Sequence, residues 1–359
     1  MYLIITRSFP PEIGGMQNLM WGLSKELSKN YMIKVFADYS DNHRDFDEKV
    51  AFSIERIAGI KLLRKYRKSY LINEFIKENK ITGVIADHWK SLELIKTNKK
   101  KICLIHSKEI NHPKNSRIYN RIIKVLNDAH FIVANSEYTK NLAVENGVSN
   151  KNIIVINPGV YPASPIENKI IKDAEILLKG KNPRLITVSR YDKRKNHEKI
   201  IMALRNLKQI YPNIIYISVG YGEEEENIRK LVNELGLENH VIFQKNISQE
   251  LKNALISKSD LFVMPSIIHK NSVEGFGIAY VEAAQYGVPS IGGKDGGAAD
   301  AIKDKETGII CDGNNLDDIY SSIETVLKNN LSKEMGNKAK EFAKKFEWDN
   351  IVQQYLKIL

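Results

Sequence analysis

Short apolar runs alternate with longer amphipathic stretches along the whole chain, the pattern of parallel strands flanked by helices. In the first half, residues 2–6, 33–37, 84–87, 101–106 and 131–135 predict strands. Residues 15–29 predict a helix, with Met16, Leu19, Met20, Leu23 and Leu27 at helical spacing. Asn157-Pro-Gly-Val-Tyr-Pro162 interrupts the alternation and opens an interdomain linker. The second half restarts with strands at 184–189, 214–220, 240–244, 261–265 and 289–292. No tandem repeat or low-complexity tract breaks the pattern. The expectation is an α/β protein of two doubly wound, Rossmann-like domains, residues 1–160 and 161–342, facing a central cleft with ligands at the carboxyl ends of the strands. The length of 359 residues agrees, being too great for one ordinary core.

The most informative segment is Ser272-Val-Glu-Gly-Phe-Gly-Ile-Ala-Tyr-Val-Glu-Ala-Ala-Gln-Tyr-Gly-Val-Pro-Ser290. A buried strand, Leu261-Phe-Val-Met264, runs out into a loop that carries Glu274. A helix then begins at about Ile278 and carries Glu282 one turn in. The open N-terminus of such a helix, with its unpaired N–H groups and its dipole, favours an anion such as a diphosphate. Carboxylates on either side can accept hydrogen bonds from vicinal hydroxyls, one set from a ribose and one from a sugar. The arrangement of Glu274, Gly275, Phe276, Gly277, Ile278 and Glu282 therefore fits a nucleotide-sugar.

This Glu-x7-Glu segment resembles the donor signature of retaining glycosyltransferases with the GT-B fold, glycosyltransferase family 4 (group 1). Phe9-Pro-Pro-Glu-Ile-Gly-Gly-Met-Gln17 is similar to that family's N-terminal glycine loop, and Val188-Ser-Arg-Tyr-Asp-Lys-Arg-Lys-Asn196 to its phosphate-binding segment. Gly287-Val-Pro-Ser-Ile291 and Gly296-Gly-Ala-Ala-Asp-Ala-Ile302 are similar to its closing elements. Among subgroups, the glycine loop and the Glu274 region look most like the phosphatidylinositol mannosyltransferases. The resemblance implies an N-terminal acceptor-binding domain, a C-terminal donor-binding domain, and a terminal helix, residues 343–359, that crosses back onto the N-terminal domain. It implies that Arg190 and Lys195 hold the diphosphate, that Gly14 and Gly15 shape the same pocket, and that Glu274 orients the sugar. It also implies that Glu282 binds ribose and that His106 touches the sugar near the reacting carbon. The mechanism implied is a front-face substitution in which the leaving phosphate takes the acceptor's proton, without a side-chain nucleophile.

The residues support parts of this independently. Fixed cations after a buried strand stabilise charge that develops on a leaving diphosphate, which suits Arg190 and Lys195; Lys193 and Arg194, between them, read as surface. Gly14 and Gly15 follow a strand and open a helix without the Gly-x-Gly-x-x-Gly spacing of a dinucleotide site. His106 ends a strong strand, whereas Glu109 is left unassigned and His43, His88 and His269 have no comparable argument. The strand end near Ile247 would lie beside the base without identifying it as uridine or guanosine. Two departures from the family pattern, Ser290 and Ala298, would retune the diphosphate or sugar contact. Asp45-Phe-Asp47 sits in a polar stretch and reads as an acidic loop, so neither a metal nor another cofactor is expected.

The net charge is +11, and nearly all the excess falls in the first 160 residues. In the acceptor half this suggests an anionic acceptor or an acidic membrane surface. Residues 61–72 mix apolar and aromatic side chains with Lys61, Arg64, Lys65, Arg67 and Lys68, and residues 114–124 add a second basic stretch. Either this helix lies at an anionic lipid surface, or it packs Leu62, Leu63, Tyr66 and Tyr70 on its own sheet with the bases outward. Cys103 and Cys311 read as reduced, partly buried thiols. No signal peptide or membrane-spanning run is visible, so a cytoplasmic location is expected, with a peripheral position on the inner face of the plasma membrane open. The expected partners are a UDP- or GDP-sugar and a lipid or glycolipid acceptor. One rival acceptor is a growing lipopolysaccharide or capsule chain. A non-enzymatic rival is a basic sugar-nucleotide- or nucleic-acid-binding protein, although few aromatic residues accompany the bases, so nucleic acid is not expected.

Overall fold

The computed structural model describes residues 1–359. The chain divides into two compact units, Met1–Val160 with Phe346–Leu359, and Tyr161–Lys345.

The first unit is built on a seven-stranded sheet. In chain order its strands are β1 (Tyr2–Ile5), β2 (Ile33–Asp38), β3 (Ser53–Ile57), β4 (Gly83–Ala86), β5 (Lys100–Ile105), β6 (Phe131–Ala134) and β7 (Ile153–Val155). They are arranged β3-β2-β1-β4-β5-β6-β7, and every pairing is parallel. The second unit carries β8 (Arg184–Val188), β9 (Ile215–Val219), β10 (Val241–Gln244), β11 (Leu261–Met264), β12 (Ser290–Gly293) and β13 (Gly308–Cys311) in the order β10-β9-β8-β11-β12-β13, again all parallel. Both sheets are doubly wound. Chain order reverses between β1 and β4 in one and between β8 and β11 in the other, and such switch points open a crevice at the carboxyl ends of the strands.

Parallel strands covered on both faces need continuous apolar runs, and β1, β4, β9 and β11 are buried throughout. Three strands lie outside those that the hydrophobic pattern predicts: β3, β7 and β13. Each lies at the edge of its sheet, where one side has no neighbour; β3 carries the polar Glu55 and Arg56 that an edge tolerates, whereas β7 and β13 are short apolar runs.

The terminal helix Trp348–Leu356 packs on the first unit. Trp348 is buried, and its indole fills space that a side chain at either Gly22 or Gly159 would occupy: a Cβ at those positions would stand 2.3 Å and 2.4 Å from the ring. Backbone bonds between Val160 and Phe346 (2.8 Å) and between Trp348 and Val160 (3.0 Å) fix the return of the chain. At the far end, the Tyr2 hydroxyl donates to the Leu359 carbonyl at 2.7 Å. Two glycines thus create the slot that holds the last segment.

Beneath the carboxyl end of β8, a hydrogen-bond chain ties three strands together. The Thr187 hydroxyl donates to the Val263 carbonyl, and the Tyr216 hydroxyl donates to Thr187 Oγ1 at 2.9 Å. With both protons so committed, His197 Nδ1 must carry the hydrogen that bridges to Tyr216 Oη at 2.8 Å. His197 Nε2 is then the acceptor for the Ser189 hydroxyl at 2.9 Å. Burial, aided by the Lys195 charge, pushes the imidazole pKa down to about 3.

Two tests follow from this packing. Replacing Trp348 by Ala should cost about 3–5 kcal/mol of the first unit's stability, read from chemical denaturation, since the indole leaves a cavity between two glycines. An unfolded histidine protonates near its ordinary pKa of 6.5, whereas His197 in the folded unit resists until about 3. The stability it contributes is therefore complete above that unfolded value and falls by about 1.4 kcal/mol per pH unit below it. His197→Gln should show a correspondingly shallower loss on acidification, and equal slopes would refute the buried neutral imidazole.

Candidate active site

The second unit brings the donor motifs to its switch point. After β8 the chain passes Ser189 and Arg190 and makes a single 3-10 turn, Lys193–Lys195, before the helix His197–Ile210. Asn196, in the left-handed region at φ 63°, reverses the chain there, and its amide donates to the Pro265 carbonyl at 2.9 Å and the Gly313 carbonyl at 2.8 Å. These bonds attach the basic turn to the loop after β11, which carries Glu274.

Glu274 is buried between two cations. Arg194 Nη1 donates to its Oε2 at 2.8 Å, and the Lys195 ammonium donates to the same oxygen. Oε1 accepts no hydrogen bond from the protein. Burial alone would raise this carboxyl, but the Lys195 and Arg194 charges prevail and hold it at about 2. Desolvation lowers the Lys195 ammonium, with Glu274 opposing. Asp192 joins the cluster at 3.5 Å from Arg194 Nη2, and its Oδ1 is buried without a partner, as is Arg194 Nε.

Arg194 is therefore not the surface residue that its place in a run of bases suggested. It turns inward because two carboxylates lie beneath the turn, while Lys193 stays exposed. Arg190 differs from both: its side chain is 73% exposed and only 3.9 Å contact with Asp192 restrains it.

The loop that holds Glu274 is shaped by glycines. Gly277, at φ 90°, starts the helix Ile278–Gln285, and Gly275 and Phe276 before it are buried. Gly296, at φ 106°, approaches so closely that a Cβ would stand 2.4 Å from the Glu274 carbonyl oxygen, and the Gly297 N–H donates to that oxygen at 2.8 Å. Glu282, on the helix after Ile278, has one oxygen tied to Lys252 at 3.0 Å and the other without a protein partner. Lys252 lies on the helix Gln249–Ser257 and was not legible as part of the site from sequence. Ile247 follows β10, half-buried. Ala298 is buried just after Gly297, but Ser290 begins β12, at the amino end of the strand. Ser290 thus lies at the opposite edge of the sheet from the site and does not retune it.

The first unit gathers a second set of groups at its own switch point. Asp87, after β4, accepts from Thr6 Oγ1 (3.0 Å), the Arg7 N–H (2.8 Å) and the Ser91 hydroxyl (2.6 Å). His106 Nε2 lies 3.2 Å from the Asp87 carbonyl, and its backbone N–H donates to Glu109. Gly14 and Gly15 open the helix Gly15–Ser28 after the loop that follows β1. Arg56, from β3, holds that loop through the Pro10 carbonyl at 2.5 Å, while its other contacts go to Asp47. Asp45 and Asp47 therefore lie in a short helix, His43–Asp47, rather than a loop, and Asp47 is engaged by Arg56 and His43.

The helix Lys61–Glu78 reverses the packing alternative read from sequence. In its first half the apolar residues face out, Leu62 at 84% and Tyr66 at 62% exposure, together with Leu63 and Tyr70, whereas Leu71, Ile72, Phe75 and Ile76 farther along pack on the core. Lys68 points in, donating to the Thr6 carbonyl at 2.7 Å and Asp38 at 2.5 Å. Arg64 also reaches Asp38, Lys65 pairs with Glu93, and Arg67 bonds the Ala58 carbonyl; Lys61 remains exposed. The carboxylates at the sheet edge draw the bases inward, which leaves the apolar side outward. Arg121, from the second basic stretch, binds the same Glu93 at 2.6 Å and 2.8 Å. No helix is long and apolar enough to cross a membrane.

Comparison with known proteins agrees with this geometry. The model for "Glycosyl transferases group 1" matches residues 168–346, and that for "Glycosyltransferase Family 4" matches residues 13–164. A GDP-mannose-dependent alpha-(1-6)-phosphatidylinositol monomannoside mannosyltransferase of Mycolicibacterium smegmatis is 26% identical, over 90% of this chain and 88% of its own. An uncharacterised glycosyltransferase of Methanocaldococcus jannaschii is 29% identical over 99% and 97% of the two chains. Among solved structures, Anabaena HepE in complex with UDP superposes with a TM-score of 0.83 at 20% identity, covering 99% of this chain and 98% of the other. The two doubly wound units are those of the GT-B fold, and the chain belongs to the family 4 (group 1) glycosyltransferases.

Proposed function

We propose that this glycosyltransferase is a retaining hexosyltransferase that takes its sugar from a nucleotide diphosphate donor and passes it to an acceptor at a membrane. The observation that carries the reading is Glu274. Two cations occupy one of its oxygens and leave the other for sugar hydroxyls, while the exposed Arg190 guanidinium stands in the same loop system. A carboxylate fixed in this way need not reorganise when substrate arrives, so its hydrogen bonds can be aimed in advance.

The remaining roles follow from chemistry. Arg190 and Lys195 stabilise negative charge growing on the departing diphosphate, a charge role that needs no metal. Glu282 offers its free oxygen to the ribose, with Lys252 holding the other. His106 lies at the acceptor unit's switch point, and Gly14 and Gly15 present backbone to the donor's phosphates. The leaving phosphate oxygen takes the acceptor proton on the face from which it departs, so configuration is retained. The M. smegmatis relative is named for a GDP-mannose donor and a phosphatidylinositol acceptor, and the Anabaena neighbour holds UDP. Together they support a sugar nucleotide and leave its base to experiment. The exposed Leu62, Leu63, Tyr66 and Tyr70, flanked by Lys61 and Arg67, support an anionic lipid surface as the place of transfer.

The direct experiment measures nucleotide released from UDP-, GDP- and ADP-sugars, with and without vesicles containing native lipid extract. One donor should respond, and its turnover should rise with vesicles; the product's anomeric proton coupling should match the donor's configuration. Inverted product would refute the retaining mechanism. Arg190→Ala, at an exposed side chain, should lose most transfer with its fold intact, and near-normal turnover would sink the assignment; adding Lys195→Ala should abolish transfer and also cost stability, since it leaves Glu274 short of a buried cation. Arg194→Met should leave Glu274 and Asp192 short of one buried cation, costing about 3–5 kcal/mol of stability and lowering kcat more than it raises KM.

A further inference from the structure

The triplet Asp45-Phe-Asp47 has no part in the donor chemistry, yet two of its residues, with Arg56 from β3, grip the loop that follows β1. The Phe46 ring meets the buried Phe9 ring edge-on with centroids 6.2 Å apart, and Trp21 packs against Phe46 at 5.1 Å and Phe9 at 6.3 Å. Asp47 accepts from Arg56 Nε at 3.0 Å and Nη2 at 2.7 Å, a two-point pairing that fixes the plane of the guanidinium. Nη2 also donates to the Pro10 carbonyl at 2.5 Å, and the guanidinium carbon stands 5.5 Å from the Phe9 ring. The Arg56 side chain is only 4% exposed, and its Nη1 is buried without a partner. A surface ion pair would leave that nitrogen in water. The guanidinium therefore sits where Pro10 and Asp47 require it, not where its own hydrogens are best satisfied.

Up to Pro10 the loop is closely tied. The Thr6 carbonyl accepts from Lys68 at 2.7 Å, Asp87 accepts from the Thr6 hydroxyl and the Arg7 N–H, and Thr6 Oγ1 accepts the Ser8 N–H at 3.1 Å. Beyond Pro10 the restraint stops. Glu12 is exposed, Ile13 is 93% exposed, and a contact from Gln17 Nε2 to Glu12 at 3.3 Å lies at the surface. Pro10 is thus the last anchored residue before the glycines, with Pro11, Glu12 and Ile13 between it and Gly14. Arg56 is the group that anchors its carbonyl.

We propose that Arg56 is a positioning residue for transfer: clamped by Asp47, it sets the place of the Pro10 carbonyl and, through it, the line along which Gly14 and Gly15 present their backbone. The proposal rests on the reading of that glycine pair as part of the donor pocket. Arg56 itself touches no substrate. Negative charge grows on the phosphate as the sugar departs, and a displaced glycine backbone meets that charge at a poorer angle in the transition state. The ground-state diphosphate keeps Arg190 and Lys195, so the loss falls on kcat more than on the donor's KM. A merely structural Arg56 would lower stability and leave turnover per folded molecule unaltered.

The test uses the full-length chain. Cys103 and Cys311 are buried, so Ile13→Cys supplies an exposed thiol for a nitroxide label, whose EPR line shape reports the loop without turnover. Arg56→Lys keeps a charge for Asp47 but loses the planar fork that reaches Asp47 and Pro10 together. Asp47→Asn keeps the fork and loses its charged clamp; where Arg56→Lys costs the fold, it carries the same test. Each should narrow the label's spectrum toward free motion. In the unlabelled chain, each should lower kcat per folded molecule about tenfold to a hundredfold, with the donor KM changed about threefold or less. The two losses should not add in the double variant, because Asp47 acts through Arg56. An unchanged spectrum overturns the clamp, and a mobilised label with unchanged kcat overturns the positioning role. A parent chain that consumes no sugar nucleotide sinks the transferase reading instead, and the EPR result then still decides whether Arg56 holds the loop.

Discussion

The buried contact of Arg194 and Lys195 with one oxygen of Glu274 is the constraint on which the second unit's loops depend. A lone carboxylate at that depth would be protonated, and a lone pair of cations would repel one another. Together they hold a charged carboxylate on the loop after β11 and draw the basic turn after β8 down onto it. Asn196 then locks the turn to the Pro265 and Gly313 carbonyls, and Gly296 lets the neighbouring backbone close over Glu274. Removing any one of these leaves a buried polar group without its complement, which explains why so many residues of special geometry crowd this loop.

The two units repeat one architectural solution with different chemistry. Each sheet reverses its strand order at one point, and in each the chain leaving the two central strands brings polar groups together. In the second unit they form a satisfied ion cluster with one free carboxylate oxygen on each of Glu274 and Glu282. In the first they form a carboxylate, Asp87, saturated by its own loop through Thr6, the Arg7 N–H and Ser91.

Where charge and hydrophobicity compete on one helix, the sheet edge decides. The helix Lys61–Glu78 would by composition bury its leucines and tyrosines, but Asp38 and the Thr6 carbonyl claim Lys68 and Arg64. Satisfying buried carboxylates outweighs the gain from covering four apolar side chains, because an unpaired buried charge costs several kcal/mol. The apolar residues left outside then become a surface that water alone does not suit.

The sequence by itself determined the central strands, the alternation of strand and helix, and the order of the glycine loop, the basic segment and the two glutamates. These are written in runs of consecutive residues, and a buried parallel strand must be apolar along its whole length. The edge strand β3 was hidden because an edge tolerates polar residues, and β7 and β13 are short apolar runs that the pattern did not single out. Only the tertiary structure decided which base in Lys193–Lys195 is buried, that Lys252 belongs to Glu282, and that Asp47 is spent on Arg56. The separations run from 9 residues for Asp47 and Arg56 to 30 for Lys252 and Glu282 and 79 for Lys195 and Glu274. A charge pattern read along the chain names the groups present; burial and the proximity of distant carboxylates determine which of them remain free to bind.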